Sequence, residues 1–399
     1  MNLILLIIAA VFAPMAFASV ESWARTILEL LIFGAAVATV TRERYIYLSR
    51  ANKTLIPALL AVALIGLLQL LTQHPVNAPA GSLPFTVWRP HTVDGIVLWC
   101  AYAAIVFAAA QAVEHKTQLK LVLWAIFLTG LTVAFMGIFQ KTGNDIYIYG
   151  FRKLTDFGVP PFGPFINRDN AANYLVTSAL CGLGLFLAAF NKYDRFAGRG
   201  KQFDFFARQT LLALMLGITI YGIIFTGSRG GIHSFAFAVF IAAALAAARF
   251  LRGKNRIYAF GAAALLGVGY IVFVLNSPGL MARTGSQFDN TVLVRLSMYK
   301  SGLAMLTDFP LWGTGLNSLM HAFPYYQDFI AVPGTVEHAH SDWLELVLTV
   351  GLAGTLAFLA GFAALMYYAV RTALKSMSTE KSIIGICLIG AITAFCVHV

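Results

Sequence analysis

The chain has 399 residues, of which 59% are hydrophobic and 11% charged, and its mean hydropathy is +0.77. An ordinary soluble domain carries roughly 25% charged residues, so this composition excludes a soluble protein and indicates a polytopic membrane one. The net charge of +11 is of the kind that membrane proteins collect in cytoplasmic loops, and it does not imply a nucleic-acid partner.

Taken in chain order, apolar runs near membrane length fall at about 2–20, 26–40, 54–72, 92–113, 119–139, 171–190, 210–227, 231–248, 257–275, 343–370 and 382–399. They predict an all-α polytopic helical bundle of about eleven spans. The 26–40 run carries Glu29 and is the least regular. The first run, "LILLIIAAVFAPMAFA", also fits a signal-peptide core with Ala16 and Ala18 as a small-residue cleavage site. No Lys or Arg precedes it, so an uncleaved first helix is the expectation. The last run reaches Val399 without a flank or cap, and we expect the full protein to continue with at least one more helix. Cys100, Cys181, Cys387 and Cys396 lie far apart in apolar runs with no CxxC spacing, and read as small core residues.

Five connections, "TRERYIYLSRANK", "EHKTQLK", "NKYDRFAGRGKQFDFFARQ", "RFLRGKNR" and "RTALKSMSTEK", hold 18 of the 28 Lys and Arg residues. All five fall on one side if every run crosses, and the positive-inside rule makes that side cytoplasmic. The other side holds the 73–91 and 140–170 loops, the short "SRGG" link and a long loop at 276–342. We read residues 1–399 as a single transmembrane domain whose 276–342 loop carries part of the active site.

Three stretches on that outer side invite a chemical reading. "GPFINRDNAANYL" (163–175) crowds Asn167, Asp169, Asn170 and Asn173 at a helix start, with Arg168 placed to reach an anion. Plain capping is the alternative. "TGSRGG" (226–231) pinches Arg229 between small residues, which suits a phosphate that approaches closely. The alternative is an arginine that snorkels to the interface. In the long loop, apolar residues at 293, 296, 299, 303 and 306 predict an amphipathic helix, capped by Asp289 or Asn290 and interrupted by Arg295 and Lys300. It would lie on the membrane or dock on the bundle, with the two cations solvated or at lipid headgroups as the alternative to a site.

"VEHAHSDWLELVLTVGLAG" (336–354) then passes from charge into an apolar helix. Asp342 and Glu345 fit a capping-box variant, and Trp343 fits the aromatic belt. His340 falls just outside the helix N-terminus, where an imidazole can take a proton near neutral pH. It could equally be an incidental surface histidine, or join Glu337 and His338 in a metal site, although HxH is a weak metal signal.

Together these motifs resemble the O-antigen ligase and polymerase superfamily of bacterial membrane glycan transferases, from about residue 85 onward. His340, Ser341 and Gly351 match the family's final signature, with Gly354 at its later small position. "TGSRGG" is similar to its Ser-Arg-Gly turn, and "VRLSMYKSGLAMLTDFPLWGTGL" to its Arg-led helix followed by Pro and Gly-x-Gly. "GPFINRDNAANYL" is similar to its Phe-x-Asn-Arg-Asn motif, with Asp169 where Asn is usual. The resemblance implies an inverting transfer without metal or other cofactor. A glycan on undecaprenyl diphosphate would be the donor, and a glycan or lipid A-core hydroxyl the acceptor. Chain-length regulator or export proteins are candidate partners besides the lipid bilayer. The site would face the periplasm from the bacterial inner membrane. On this reading His340 is the catalytic base, Arg229 and Arg295 clamp the diphosphate, and Asn167, Arg168, Asn170, Lys300 and His338 are secondary substrate contacts. The 73–91 segment leans the reading towards polymerase rather than ligase. A lipid-linked glycan exporter is the competing class, but a transporter should place its ionisable residues near the bilayer midplane.

Overall fold

The computed structural model describes the chain apart from residues 43–44, 75–82, 144–146, 154–160, 192, 194–197, 260, 263–264, 266–284, 329–335, 340 and 399; for 285–293 it describes the backbone alone. The fold is all-α. Helices α1 (Asn2–Met15), α2 (Ser22–Arg42), α3 (Arg50–Gln69), α4 (Arg89–Ala112), α5 (Lys116–Thr142), α6 (Arg168–Phe190), α7 (Arg199–Thr226) and α8 (Arg229–Phe250) are followed by α9 (Gly285–Asp308), α10 (Asp342–Lys375) and α11 (Thr379–His398). Among the described residues nine helices, α2–α8, α10 and α11, are long and apolar enough to cross a membrane. The run at 257–275 lies largely outside the described residues.

The first apolar run is shorter than expected. Helix α1 has 14 residues, about 21 Å at 1.5 Å per residue, against a hydrocarbon core of about 30 Å. Pro14 lacks an N–H and weakens the last turn. Phe17, Ala18 and Ser19 then adopt positive φ, and the Ser19 hydroxyl donates to the Ala13 carbonyl at 3.1 Å. In α2, Glu29 is paired with Arg25 one turn away at 2.9 Å, which explains how an apolar run carries it.

The helices divide into two compact units: Met1–Tyr47, Ala108–Ala264 and Met366–His398 form the first, and Leu48–Phe107 with Leu265–Leu365 the second. In the first, Phe127, Leu175, Val176, Leu180 and Ile223 form the core between α5, α6 and α7, and Cys181 and Cys387 are buried as small core residues. Helices α6 and α8 approach closely, since a Cβ on Gly231 would stand 2.5 Å from that of Ala172. At the end bearing the basic connections, Glu380 pairs with Lys116 and Lys120, and Arg249 donates to the Ser376 carbonyl at 2.7 Å.

The second unit is organised by a break. Helix α10 is interrupted at Gly351, where φ is 65° and ψ −171°. A broken helix leaves carbonyls and N–H groups without partners, and these must be satisfied by protein where water is scarce. The segment after Pro310 does this. The carbonyls of Leu348 and Thr349 accept from the N–H groups of Thr314 and Gly315, both at 3.1 Å; the N–H groups of Leu352 and Ala353 donate to the carbonyls of Pro310 and Leu311 at 2.8 and 3.1 Å. Such contact needs bare backbone: a Cβ on Gly351 would stand 2.3 Å from the Leu311 carbonyl oxygen, and one on Gly313 would meet Thr349 at 2.5 Å.

Helix α9 buries a different stripe from the one its apolar pattern predicts. Met298, Ser301 and Met305 are buried, while Leu296, Tyr299 and Leu303 are exposed. The helix carries two apolar stripes, and the one with Gly302 docks, because a missing side chain lets Leu344 and Leu348 of α10 approach. Of the other stripe, Leu296, Tyr299 and Leu303 face outward, while Leu306 packs against the buried layer. The helix also starts at Gly285, four residues ahead of Asp289, so neither Asp289 nor Asn290 is its cap.

Candidate functional site

In the first unit, the end away from the basic connections gathers the polar residues of two motifs. Asn167 is the N-cap of α6, its side-chain oxygen accepting from the Asp169 N–H at 2.8 Å. Capping therefore accounts for this residue, which sequence reasoning also set out as a substrate contact. Arg168 opens the helix half-buried, and Asp169 and Asn170 are exposed on its first turn. The Asp169 carbonyl lies 2.9 Å from Nε2 of His398, at the end of α11. Asn173 holds its side-chain oxygen buried, without a hydrogen-bond partner among the described residues.

The "TGSRGG" link is a built turn. Gly227 ends α7 in the left-handed conformation, at φ 74°. Ser228 caps α8, accepting from the Gly231 N–H at 3.1 Å, and is buried while Arg229 is exposed. The turn thus presents Arg229 at a helix N-terminus, a position that favours anions. Lys141, from the last turn of α5, donates to the Phe225 carbonyl at the end of α7. The motifs did not point to this residue.

In the second unit, Arg295 and Lys300 both lie on exposed positions of α9, whose buried stripe packs with Phe85, Phe309, Leu319, Phe323, Val336, Ala339 and Leu348. That layer fixes the backbone of 336–339, which leads into residue 340. His340 itself lies outside the described residues. His338 Nδ1 lies 3.2 Å from the Glu345 carboxylate, which also accepts from the Ala339 N–H at 3.2 Å. The hydrogen bond to Glu345 holds the His338 imidazole above its ordinary pKa, against a smaller desolvation effect.

The expected Asp342–Glu345 capping box is not formed. Ser341 takes the cap, its hydroxyl accepting from the Leu344 N–H at 3.4 Å, and Glu345 is thereby freed to hold the 338–339 backbone and imidazole. A serine one residue earlier satisfies the same orphan donors. Trp343 packs edge-on to Phe362 at 6.2 Å.

Sequence reasoning also missed Gln69, fully buried at the end of α3. Its amide donates to the carbonyls of Trp312 and Thr349 at 2.6 and 2.9 Å, and its oxygen accepts from the Leu316 N–H at 2.8 Å. The available signal was a lone glutamine in "ALIGLLQLL", since a polar residue inside an apolar run needs partners.

A search of curated proteins finds no match to the chain. The model of the family described as O-antigen ligase matches residues 212–359, a little over a third of the chain. The matched segment contains Arg229, Arg295, Lys300, His338, His340 and Gly351, and stops short of the 163–175 motif. The matched segment is thus similar to that family, which supports the resemblance to the O-antigen ligase and polymerase superfamily that the motifs carry.

Proposed function

We propose that the chain is a bacterial membrane glycosyltransferase that moves a glycan from an undecaprenyl-diphosphate donor to a sugar hydroxyl at the periplasmic face of the inner membrane, as an O-antigen or exopolysaccharide polymerase or an O-antigen ligase. The observation that carries the reading is Arg229, held exposed at the N-terminus of α8 by the capped 226–231 turn inside the family-matched segment.

The chemistry follows from the donor. A diphosphate is already a good leaving group, so it needs charge neutralisation more than a general acid. Arg229 and Arg295 supply this with paired N–H donors suited to phosphate oxygens. The acceptor hydroxyl is a poor nucleophile until its proton is removed. His340 takes that proton as the hydroxyl oxygen bonds to C1 and the bond from C1 to the phosphate oxygen breaks, inverting the anomeric centre. Undecaprenyl diphosphate leaves with the bonding electrons, and no metal or nucleotide takes part. The lipid tail keeps the diphosphate at the membrane surface, which is where a base preceding α10 would be needed.

The test is His340→Ala in proteoliposomes supplied with lipid-linked glycan and no ion gradient. Transfer should fall by about 10²–10⁴, with donor binding retained. Turnover close to wild type would remove His340 from the mechanism, and substrate crossing the membrane without transfer would replace the enzyme by an exporter.

A further inference from the structure

We infer that Trp88 and His321 form a binding platform for a sugar ring of the acceptor glycan; this rests on the glycosyl-transfer reading above. Both lie in the second unit. Trp88 stands in "VWRPHTVDG" (87–95), immediately before α4, and His321 in the helical turn Leu319–Ala322. The His321 imidazole stacks on the indole, with ring centres 4.7 Å apart and planes 27° from parallel. The ring of His91, on the first turn of α4, meets the same imidazole at 4.8 Å. An interfacial tryptophan commonly does no more than sit at the lipid headgroups, but such a residue needs no fixed backing. Here the backbone on both sides of the stack is tied down. The Thr314 carbonyl accepts from the Val87 N–H at 3.0 Å and from the Ser318 hydroxyl at 2.9 Å, and the Ser318 carbonyl accepts from the His321 N–H at 3.0 Å. The Trp88 N–H donates to the Thr86 hydroxyl at 3.1 Å.

The chemistry of the stack selects its guest. Trp88 remains 43% exposed although His321 stacks on it, so ring surface is left for a ligand. An indole face is electron-rich and attracts C–H groups that carry partial positive charge, as those of a sugar ring do. His321 supplies the polar half. Its Nε2 is buried and has no hydrogen-bond partner among the described residues. Phenylalanine would stack as well without stranding a nitrogen, so a polar guest explains the residue type better than packing does. Burial, and then the nearby His91, hold the imidazole below its ordinary pKa. A neutral imidazole exchanges hydrogen bonds with hydroxyls rather than neutralising phosphate. Arg89, the exposed first residue of α4, is the cation next in sequence and the contact that a headgroup would use. Val87 packs against the buried layer that holds Leu319, Phe323, Val336 and Ala339, so the platform shares its foundation with the segment leading into residue 340. The acceptor, whose hydroxyl must meet the base, is the glycan that this position serves.

The full chain is reconstituted in phosphatidylcholine vesicles. The binding probes are the oligosaccharides released by mild acid from the host's lipid-linked glycan and from its lipid A-core. Donor KM, acceptor KM and thermal midpoint are measured for wild type, Trp88→Leu, Trp88→Tyr and His321→Phe. Leucine suits a lipid-facing position as well as tryptophan does, so Trp88→Leu removes the stacking face alone. We expect Trp88→Leu to raise the acceptor KM about tenfold and His321→Phe to raise it about threefold, with the donor KM unchanged and Trp88→Tyr close to wild type. An acceptor KM unchanged in either Trp88→Leu or His321→Phe, or a donor KM that rises in its place, would overturn the inference. Should Trp88→Leu not fold, wild-type protein labelled with fluorotryptophan carries the test. The fluorine NMR signal that Trp88→Tyr removes should shift when one of the oligosaccharides is added. A shift with added phosphatidylglycerol and none with either oligosaccharide would make Trp88 a headgroup residue and overturn the platform. If an oligosaccharide moves that signal but wild type transfers no glycan from any polyprenyl diphosphate, the sugar platform stands and the transfer reading falls.

Discussion

The side-chain amide of Gln69 donates to the carbonyl of Thr349 at 2.9 Å, joining the end of α3 to the break in α10. The same amide reaches Trp312, and its oxygen holds Leu316. One buried side chain therefore ties three backbone groups around the interrupted helix, where no helical partner exists for them.

Gln69→Leu should be severely destabilising. It keeps the side-chain volume roughly but removes the Gln69 bonds to the Trp312 carbonyl and the Leu316 N–H, while the Thr349 carbonyl keeps its bond from Gly315; each group left buried and unsatisfied costs about 1–3 kcal/mol. We expect a loss of about 2 kcal/mol or more, read as a clear drop in thermal midpoint in detergent. Gln69→Glu should recover only the bond to Leu316, because a carboxylate cannot donate to the two carbonyls. A midpoint within a degree or two of wild type for Gln69→Leu would show that the network is not structural.

Glycines on the same break should behave unlike glycines elsewhere. At Gly351 a Cβ would stand 2.3 Å from a backbone oxygen, with φ at 65°. Gly351→Ala must displace the 310–313 segment, so we expect little folded protein. Gly217, in the middle of α7, has nothing within 4 Å of its would-be Cβ. Gly217→Ala should be neutral or stabilising by about 0.5–1 kcal/mol, the helix-propensity difference. Equal expression and thermal midpoints for the two variants would contradict this account.

These residues also mark what could be read in advance. The membrane class and most spans follow from composition, because an apolar run of membrane length has few other uses. The short link at 226–231 was legible as small residues around Arg229 between two apolar runs, whereas the left-handed end at Gly227 and the Ser228 cap emerged only from the structure. The break at Gly351 was not legible, because a glycine in an apolar run reads as helix until a partner segment is known, and that partner begins some forty residues earlier at Pro310. The docked face of α9 was misread because two apolar stripes share one helix, and only the absent side chain at Gly302 decides which packs. Lys141 was invisible for the most general reason, since the Phe225 carbonyl that it meets belongs to another helix.

The arginines separate charge from geometry. If Arg229 and Arg295 hold phosphate by paired donors, Arg229→Lys and Arg295→Lys keep the charge and lose the fork. A charge-assisted hydrogen bond contributes about 1.5–3 kcal/mol, so each variant should lose about ten- to a hundredfold in donor kcat/KM, with the acceptor KM little changed. Snorkelling or headgroup-binding arginines would instead accept lysine almost without loss.

The His338–Glu345 pair should make stability depend on pH in a defined direction. Its hydrogen bond raises the imidazole pKa in the folded protein above that of the unfolded chain. The protonated form is thus favoured by folding. The stabilisation is fully present below the unfolded pKa of about 6.5 and is lost as pH rises through the higher folded value. His338 is exposed while Glu345 is half-buried, so solvent screening limits the pair to about 1 kcal/mol or less. We expect His338→Ala to lower the thermal midpoint more at pH 5.5 than at pH 8.5, where the imidazole is neutral and the pair is reduced to a weaker hydrogen bond. His338→Gln, which can still donate to Glu345, should show a smaller loss with little pH dependence. A destabilisation by His338→Ala that grows with rising pH would mean that the neutral imidazole is the form the fold selects, and would reverse the assignment of charge to this pair.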